Sequence, residues 1–148
     1  MQEKIYLTEL SDCFERKLLT GVSPSTGLAK KSLIQAGLFL TDAEDLVKIG
    51  KQRMGTIALY NAFFHVARAL LFKDGIKERS HFCIARYVEE KYVNTKLLNR
   101  DFLDYLDTLR DARHETQYSL DFAEIGMDLH VGIAVCREFM KVVDVLIK

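Results

Sequence analysis

Met54-Gly-Thr-Ile-Ala-Leu-Tyr-Asn-Ala-Phe-Phe-His-Val-Ala-Arg-Ala-Leu-Leu-Phe72 is the stretch on which the fold turns. It is apolar almost all round, and a helix of that kind, from about Lys51 to Lys73, is buried by neighbours on several sides. Its length would also span a bilayer, but Asn61, His65 and Arg68 sit in its middle. An arginine near a bilayer centre costs about 2.5 to 3.5 kcal/mol on insertion scales, so the expectation is the central helix of a soluble bundle with no membrane partner.

Helices extend outward from it on both sides. Upstream, from about Thr26 to Ile49, Ala29, Leu33, Ala36, Leu40, Ala43 and Val47 alternate four and three apart, and Gly50 ends the run. Downstream, Asp74 and Gly75 stop the central helix, and Ser80 can cap a third from about His81 to Tyr92. A turn at Asn94 to Asn99 leads to a fourth helix, Asp101 to about Gln117. The fifth, about Phe122 to Ile147, carries Leu129, Ile133, Cys136, Met140, Val143 and Ile147 on one stripe. Short connections make neighbours antiparallel, so the chain reads as all-α: an up-and-down bundle of about five helices over residues 26–148. Residues 1–25 form an N-terminal helical arm, with Leu7, Leu10, Phe14 and Leu18 at helical spacing and a break at Gly21 to Pro24.

The 148 residues suffice for one domain with a real core. Lys plus Arg and Asp plus Glu are both 21, a balance unlike that of domains that coat nucleic acid, though it leaves room for a local basic site. Cys13, Cys83 and Cys136 are far apart and odd in number, which points to buried thiols in a reducing cytoplasm rather than a disulfide framework. Met1 to Thr8 contains Glu3 and Lys4 without an apolar core, unlike a signal peptide.

Two groups of polar residues ask for a chemical reason. Phe102, Leu106 and Leu109 lie on one face of the fourth helix, and the next residue in that series is Arg113. A guanidinium facing the interior needs a carboxylate, several carbonyls or a bound anion such as phosphate, because it does not shed its proton. Arg110, Arg113 and His114 form the densest positive patch, offset by Asp111 and Glu115 on the outer face. The second group is Asn61, His65 and Arg68, four and three apart on the central helix. Either they form a buried hydrogen-bond network that fixes helix register or a dimer contact, or they join Arg113 in an anion or nucleotide pocket. The spacings Glu78 to His81 and Asp111 to His114 could serve a di-iron site, but the further inward glutamates it needs are missing, so neither metal nor cofactor is expected.

Ala58-Leu-Tyr-Asn-Ala-Phe-Phe-His-Val-Ala-Arg-Ala-Leu-Leu-Phe72, then Gly75, then Ser80-His81, then Asp101 to Tyr118 ending in Arg-His-Glu-Thr-Gln-Tyr, resembles the HEPN domain in its small stand-alone prokaryotic branch. The resemblance covers residues 26–148 and implies a five-helix bundle that forms homodimers and pairs with a small nucleotidyltransferase, as in toxin-antitoxin systems. Some members are metal-independent ribonucleases in which an arginine, followed after four to six residues by histidine, holds the phosphate while the histidine moves protons. Here Arg113 has the arginine's place, but the residue five positions on is Tyr118, and only three residues separate Arg110 from His114. A phenol of ordinary pKa about 10 is a poor base at neutral pH.

The resemblance therefore implies a non-catalytic module that binds nucleotide or RNA phosphate, or docks a nucleotidyltransferase, through Arg113 with Arg110, Asn61, His65, Arg68 and Tyr118. The alternatives are a ribonuclease using Arg110, Arg113 and His114, with Tyr118 a further catalytic candidate, and a purely structural helical adaptor.

Overall fold

The structure is a computed structural model that describes residues 2–120 and 127–148, with side chains from Glu9 onward. Helix α1 spans Gln2–Glu15, strand β1 Leu19–Gly21, α2 Thr26–Lys48, α3 Gln52–Asp74, β2 Ile76–Glu78, α4 His81–Val88, α5 Arg100–Tyr118 and α6 Leu129–Leu146; a π-helical turn, Glu89–Val93, continues α4. The chain is thus the all-α bundle the periodicity indicates, with α1 as the arm.

All six residues of the predicted α2 stripe are buried. Ser25 caps that helix by accepting a hydrogen bond from the Leu28 N–H at 3.0 Å. Helix α3 is the axis of the fold, packed by α2, α5 and α6. Phe63 at its centre stacks on Tyr105 of α5 (5.9 Å between centroids) and tilts against Phe139 of α6 (5.8 Å), which in turn stacks on Phe102 (4.9 Å). Gly132 lets α6 approach α3 closely, since a Cβ there would lie 2.8 Å from Leu59 Cδ2. Because its own chain covers α3, the apolarity of that helix does not in itself call for a second copy.

Several expectations need correction. The predicted third helix is α-helical only to Val88, after which the wider π turn takes over. In a regular α-helix residues five apart point about 140° away from each other. The π turn instead lets Tyr87 and Tyr92 both donate to Asp74 Oδ2, at 3.0 and 2.7 Å. Burial and the Asp74 charge raise both phenol pKa values. The interior face of α5 is Leu103, Leu106 and Leu109, with Phe102 half-buried at its edge. Helix α6 starts at Leu129 behind the Asp128 cap; Phe122, the expected start, lies outside the described residues, and Met140 is half-buried.

The larger surprise is how the arm is held. β1 and β2 pair antiparallel, Leu19 with Glu78 and Gly21 with Ile76, and the ladder continues as Arg79 N to Leu18 O and Val22 N to Gly75 O, both 2.8 Å. Gly75 makes this hairpin possible. It caps α3 at φ 77°, and a Cβ there would lie 2.5 Å from the Val22 carbonyl oxygen. Cys13 and Cys83 then form a disulfide, with Cα atoms 5.9 Å apart. The expectation of three thiols is therefore wrong: pairing of β1 with β2 carries α1 alongside α4, and only Cys136 remains free. Burial pushes the Cys136 thiol up to about 12. In the arm, Leu10 and Cys13 take the buried positions while Phe14 is exposed; the side chain of Leu7 lies outside those described.

Candidate functional site

Three elements meet where Arg113 lies. Helix α3 supplies Tyr60, Phe64 and Arg68 at intervals of four, the first turn of α4 supplies His81 and Phe82, and α5 supplies Asp107, Arg110 and Arg113. Ser80 fixes the start of α4, accepting from the Cys83 N–H at 3.3 Å. The C-terminal turn of α5 is tied to the start of α3 by Arg53, which donates to the Thr116 carbonyl at 3.3 Å.

The Tyr60 hydroxyl stands 2.6 Å from His81 Nδ1, and the imidazole stacks on Phe64 with centroids 4.2 Å apart. Tyr60 is almost wholly buried, and burial pushes its pKa up to about 12 against the pull of Arg113 and Arg110. The His81 pKa is lowered by burial of the ring, then by the charges of Arg113, Arg110 and Arg68. We assign this bond to the tautomer in which Tyr60 donates and Nδ1 accepts, which leaves the second nitrogen to carry the N–H.

Arg113 is half-buried, and its guanidinium lies 4.8 Å from the Tyr60 ring centroid. Nη1 donates to Gln117 Oε1 at 3.1 Å, while Nε is buried with no hydrogen-bond partner. Among the described residues no carboxylate comes within ion-pair distance of it. The position on the interior seam called for a carboxylate, several carbonyls or a bound anion; an aromatic face and one neutral amide oxygen occupy that role in the protein.

The other predicted residues divide. Arg110 lies at the same end of the cluster but is partly neutralised, 3.4 Å from Asp107 Oδ1, with its guanidinium 5.2 Å from the Phe82 centroid. Arg86 binds the other Asp107 oxygen at 2.7 Å and lies 5.1 Å from the same ring. Arg68 pairs with Glu78 at 2.8 Å and sits 4.8 Å over Phe72. His65 stacks on Phe39 of α2, its Nδ1 buried without a partner, and its pKa falls to about 4 through burial, then Arg68, then His81. Asn61 turns back to its own helix, donating to the Ile57 carbonyl at 2.9 Å. The stripe of three is thus not one network. His114 and Tyr118 are exposed and contact each other, centroids 4.9 Å apart, at the far end of α5. Neither of them is brought to Tyr60.

Sequence reasoning missed the partnership of Tyr60 with His81. Ser80-His81 was visible only as a cap and a landmark, and residues 21 apart on different helices share no periodicity. The available signal was Tyr60, Phe64 and Arg68 recurring every fourth residue beside a charged neighbour helix. Among the described residues no three of His, Cys, Asp and Glu converge as a metal ion would require, and Glu78 of the Glu78 to His81 spacing is engaged by Arg68.

Comparison with known proteins places this arrangement in a family. The model of the HEPN domain matches residues 29–146. "UPF0332 protein PH1297" of Pyrococcus horikoshii is 32% identical over 81 residues, which is 55% of this chain and 57% of that protein. The match thus spans little more than half of the relative's length. The arm, with α1 and β1, lies outside the matched domain.

Proposed function

Since the chain belongs to the HEPN domain family, a superfamily of nucleotide-binding and ribonuclease-like helical bundles, we propose that it is a non-catalytic module that binds RNA phosphate at Arg113. The observation that carries this reading is the state of that guanidinium: half-buried, stacked on Tyr60, bonded to a neutral amide, with Nε unused. A permanent cation in that setting is poised for a charge-assisted hydrogen bond to an anion. His81 adds a neutral donor through its second nitrogen. Arg110 contributes field more than contact, because Asp107 already holds it.

The same geometry argues against strand cleavage. Transfer of the RNA 2′-oxygen to phosphorus needs a base and an acid working near neutral pH. Nδ1 of His81 is engaged by the Tyr60 hydroxyl, and burial raises the Tyr60 phenol pKa, which weakens it as an acid. His114 is exposed and packs with Tyr118 at the C-terminal end of α5.

As partners we propose a second copy of this chain and, from the family resemblance, a small nucleotidyltransferase. Ile34 and Leu38, 66% and 59% exposed, lie one turn apart on α2 and favour the second copy. Sedimentation at micromolar concentration is expected to give a dimer. The test of function is a fluorescence-anisotropy titration of labelled single-stranded RNA at several salt concentrations. Binding should weaken as salt rises, as phosphate contacts demand. RNA that fails to bind at low salt, or binds without salt dependence, contradicts the proposal.

A further inference from the structure

We infer that the Cys13–Cys83 disulfide is a redox latch that positions the His81 side of the phosphate site, an inference that rests on the function proposed above. The arm grips one short segment, residues 76–83, at two points. Below, Leu18 and Leu19 pair with Arg79 and Glu78 in the two-stranded sheet; above, Cys13 of α1 is bonded to Cys83. Glu78, which binds Arg68, stands in the lower tie itself, and between the two ties lie the Ser80 cap and His81, bonded to Tyr60.

Helix α4 has only eight residues, whereas isolated helices shorter than about 12–15 residues are marginal in water. The body of α4 is held by the burial of Ile84, Ala85, Tyr87 and Val88 and by the Arg86 to Asp107 pair, so the arm's ties bear on its first turn, where Cys83 lies with His81. Leu10 and Cys13 are the buried residues by which the described part of α1 packs on the domain. Both sulfur-bearing residues are buried, at 2% and 1% exposure, so a reductant reaches the bond only as α1 lifts. Reduction frees the α1 end of the arm, while the two-stranded sheet still holds its other end.

The exchange balances with a dithiol reductant. Its thiolate attacks one sulfur and the other cysteine leaves as thiolate; the second thiol of the reductant then resolves the mixed disulfide. The reductant ends as a disulfide, and Cys13 and Cys83 end as thiols after gaining two electrons and two protons. With the latch open, the first turn of α4 loosens, the Tyr60 to His81 bond weakens, and the neutral donor beside Arg113 is no longer held in place. RNA affinity should fall about fivefold, the weight of one ordinary hydrogen bond.

The test uses the full chain, oxidised and then treated with dithiothreitol, with two readouts. Long-range proton–nitrogen NMR of the His81 ring should show one tautomer, Nδ1 accepting, in the oxidised protein, and a mixture of tautomers after reduction. Anisotropy with labelled single-stranded RNA should show the affinity loss, reversed on reoxidation. A Cys13→Ser, Cys83→Ser double variant should match the reduced protein and ignore dithiothreitol; if it does not fold, the reduced and reoxidised wild type carry the comparison. An unchanged His81 spectrum after complete reduction overturns the latch. A spectrum that responds while RNA binds in neither state supports the latch and overturns the function proposed for the site.

Discussion

Tyr60 and His81 are joined by a 2.6 Å contact, which with Tyr60 as donor makes the imidazole an acceptor at Nδ1 and a donor at its other nitrogen. The pair converts a buried phenol, which would be costly alone, into the support of a neutral hydrogen-bond donor beside a cation. Replacing Tyr60 with Phe keeps the ring under Arg113 and removes this bond together with the hydroxyl's own interaction with Arg113. Stability should fall by about 1 kcal/mol, read as a lower urea midpoint, and RNA affinity should drop with it.

The pH dependence of stability should be set in part by His65. Its folded pKa, about 4, lies below the unfolded value of 6.5 because burial and Arg68 disfavour the charged ring. The unfolded chain therefore binds the proton first. The neutral ring's contribution is intact above pH 6.5 and is lost as pH falls from 6.5 through about 4. Thermal midpoints measured across that window should decline in the wild type and decline less in His65→Phe, which retains the stack on Phe39.

Gly75→Ala should be among the most damaging single changes in the chain. It places a Cβ at positive φ and 2.5 Å from the Val22 carbonyl oxygen, against backbone that cannot swing aside as a side-chain tip could. A loss of more than about 1 kcal/mol is expected, with weakened protection of the Val22 amide in hydrogen exchange.

The disulfide closes a loop with a sequence separation of 70, for which chain entropy gives about 4 kcal/mol. Urea unfolding with and without dithiothreitol should differ by a large part of that amount. The two curves coinciding would mean that the cross-link adds nothing to the stability of the domain.

Much of the bundle was legible because its signals are local. The unbroken alternation from Ala29 to Val47, the Ser80 cap and the Gly75 stop each need only a few neighbouring residues to be read. What escaped depends on residues distant in sequence. β1 and β2 are three residues each, too short to show an alternating period, and without them nothing brings Cys13 to Cys83. The site was legible in half: the place of Arg113 on the α5 seam announced a cation at the interior. That its partner would be the face of Tyr60 rather than an anion, and that Tyr60 would in turn hold His81, depended on how α3, α4 and α5 pack.

The central claim is that Arg113 exists for a ligand, and Arg113→Met tests it most directly. Methionine keeps an apolar stem and a favourable sulfur contact with the Tyr60 ring, and no carboxylate among the described residues is stranded by the loss of charge. The account predicts a urea midpoint within about 1 kcal/mol of the wild type together with loss of single-stranded RNA binding. A variant that binds RNA as the wild type does, or one destabilised by about 3 to 5 kcal/mol as when a buried ion pair is broken, would contradict it.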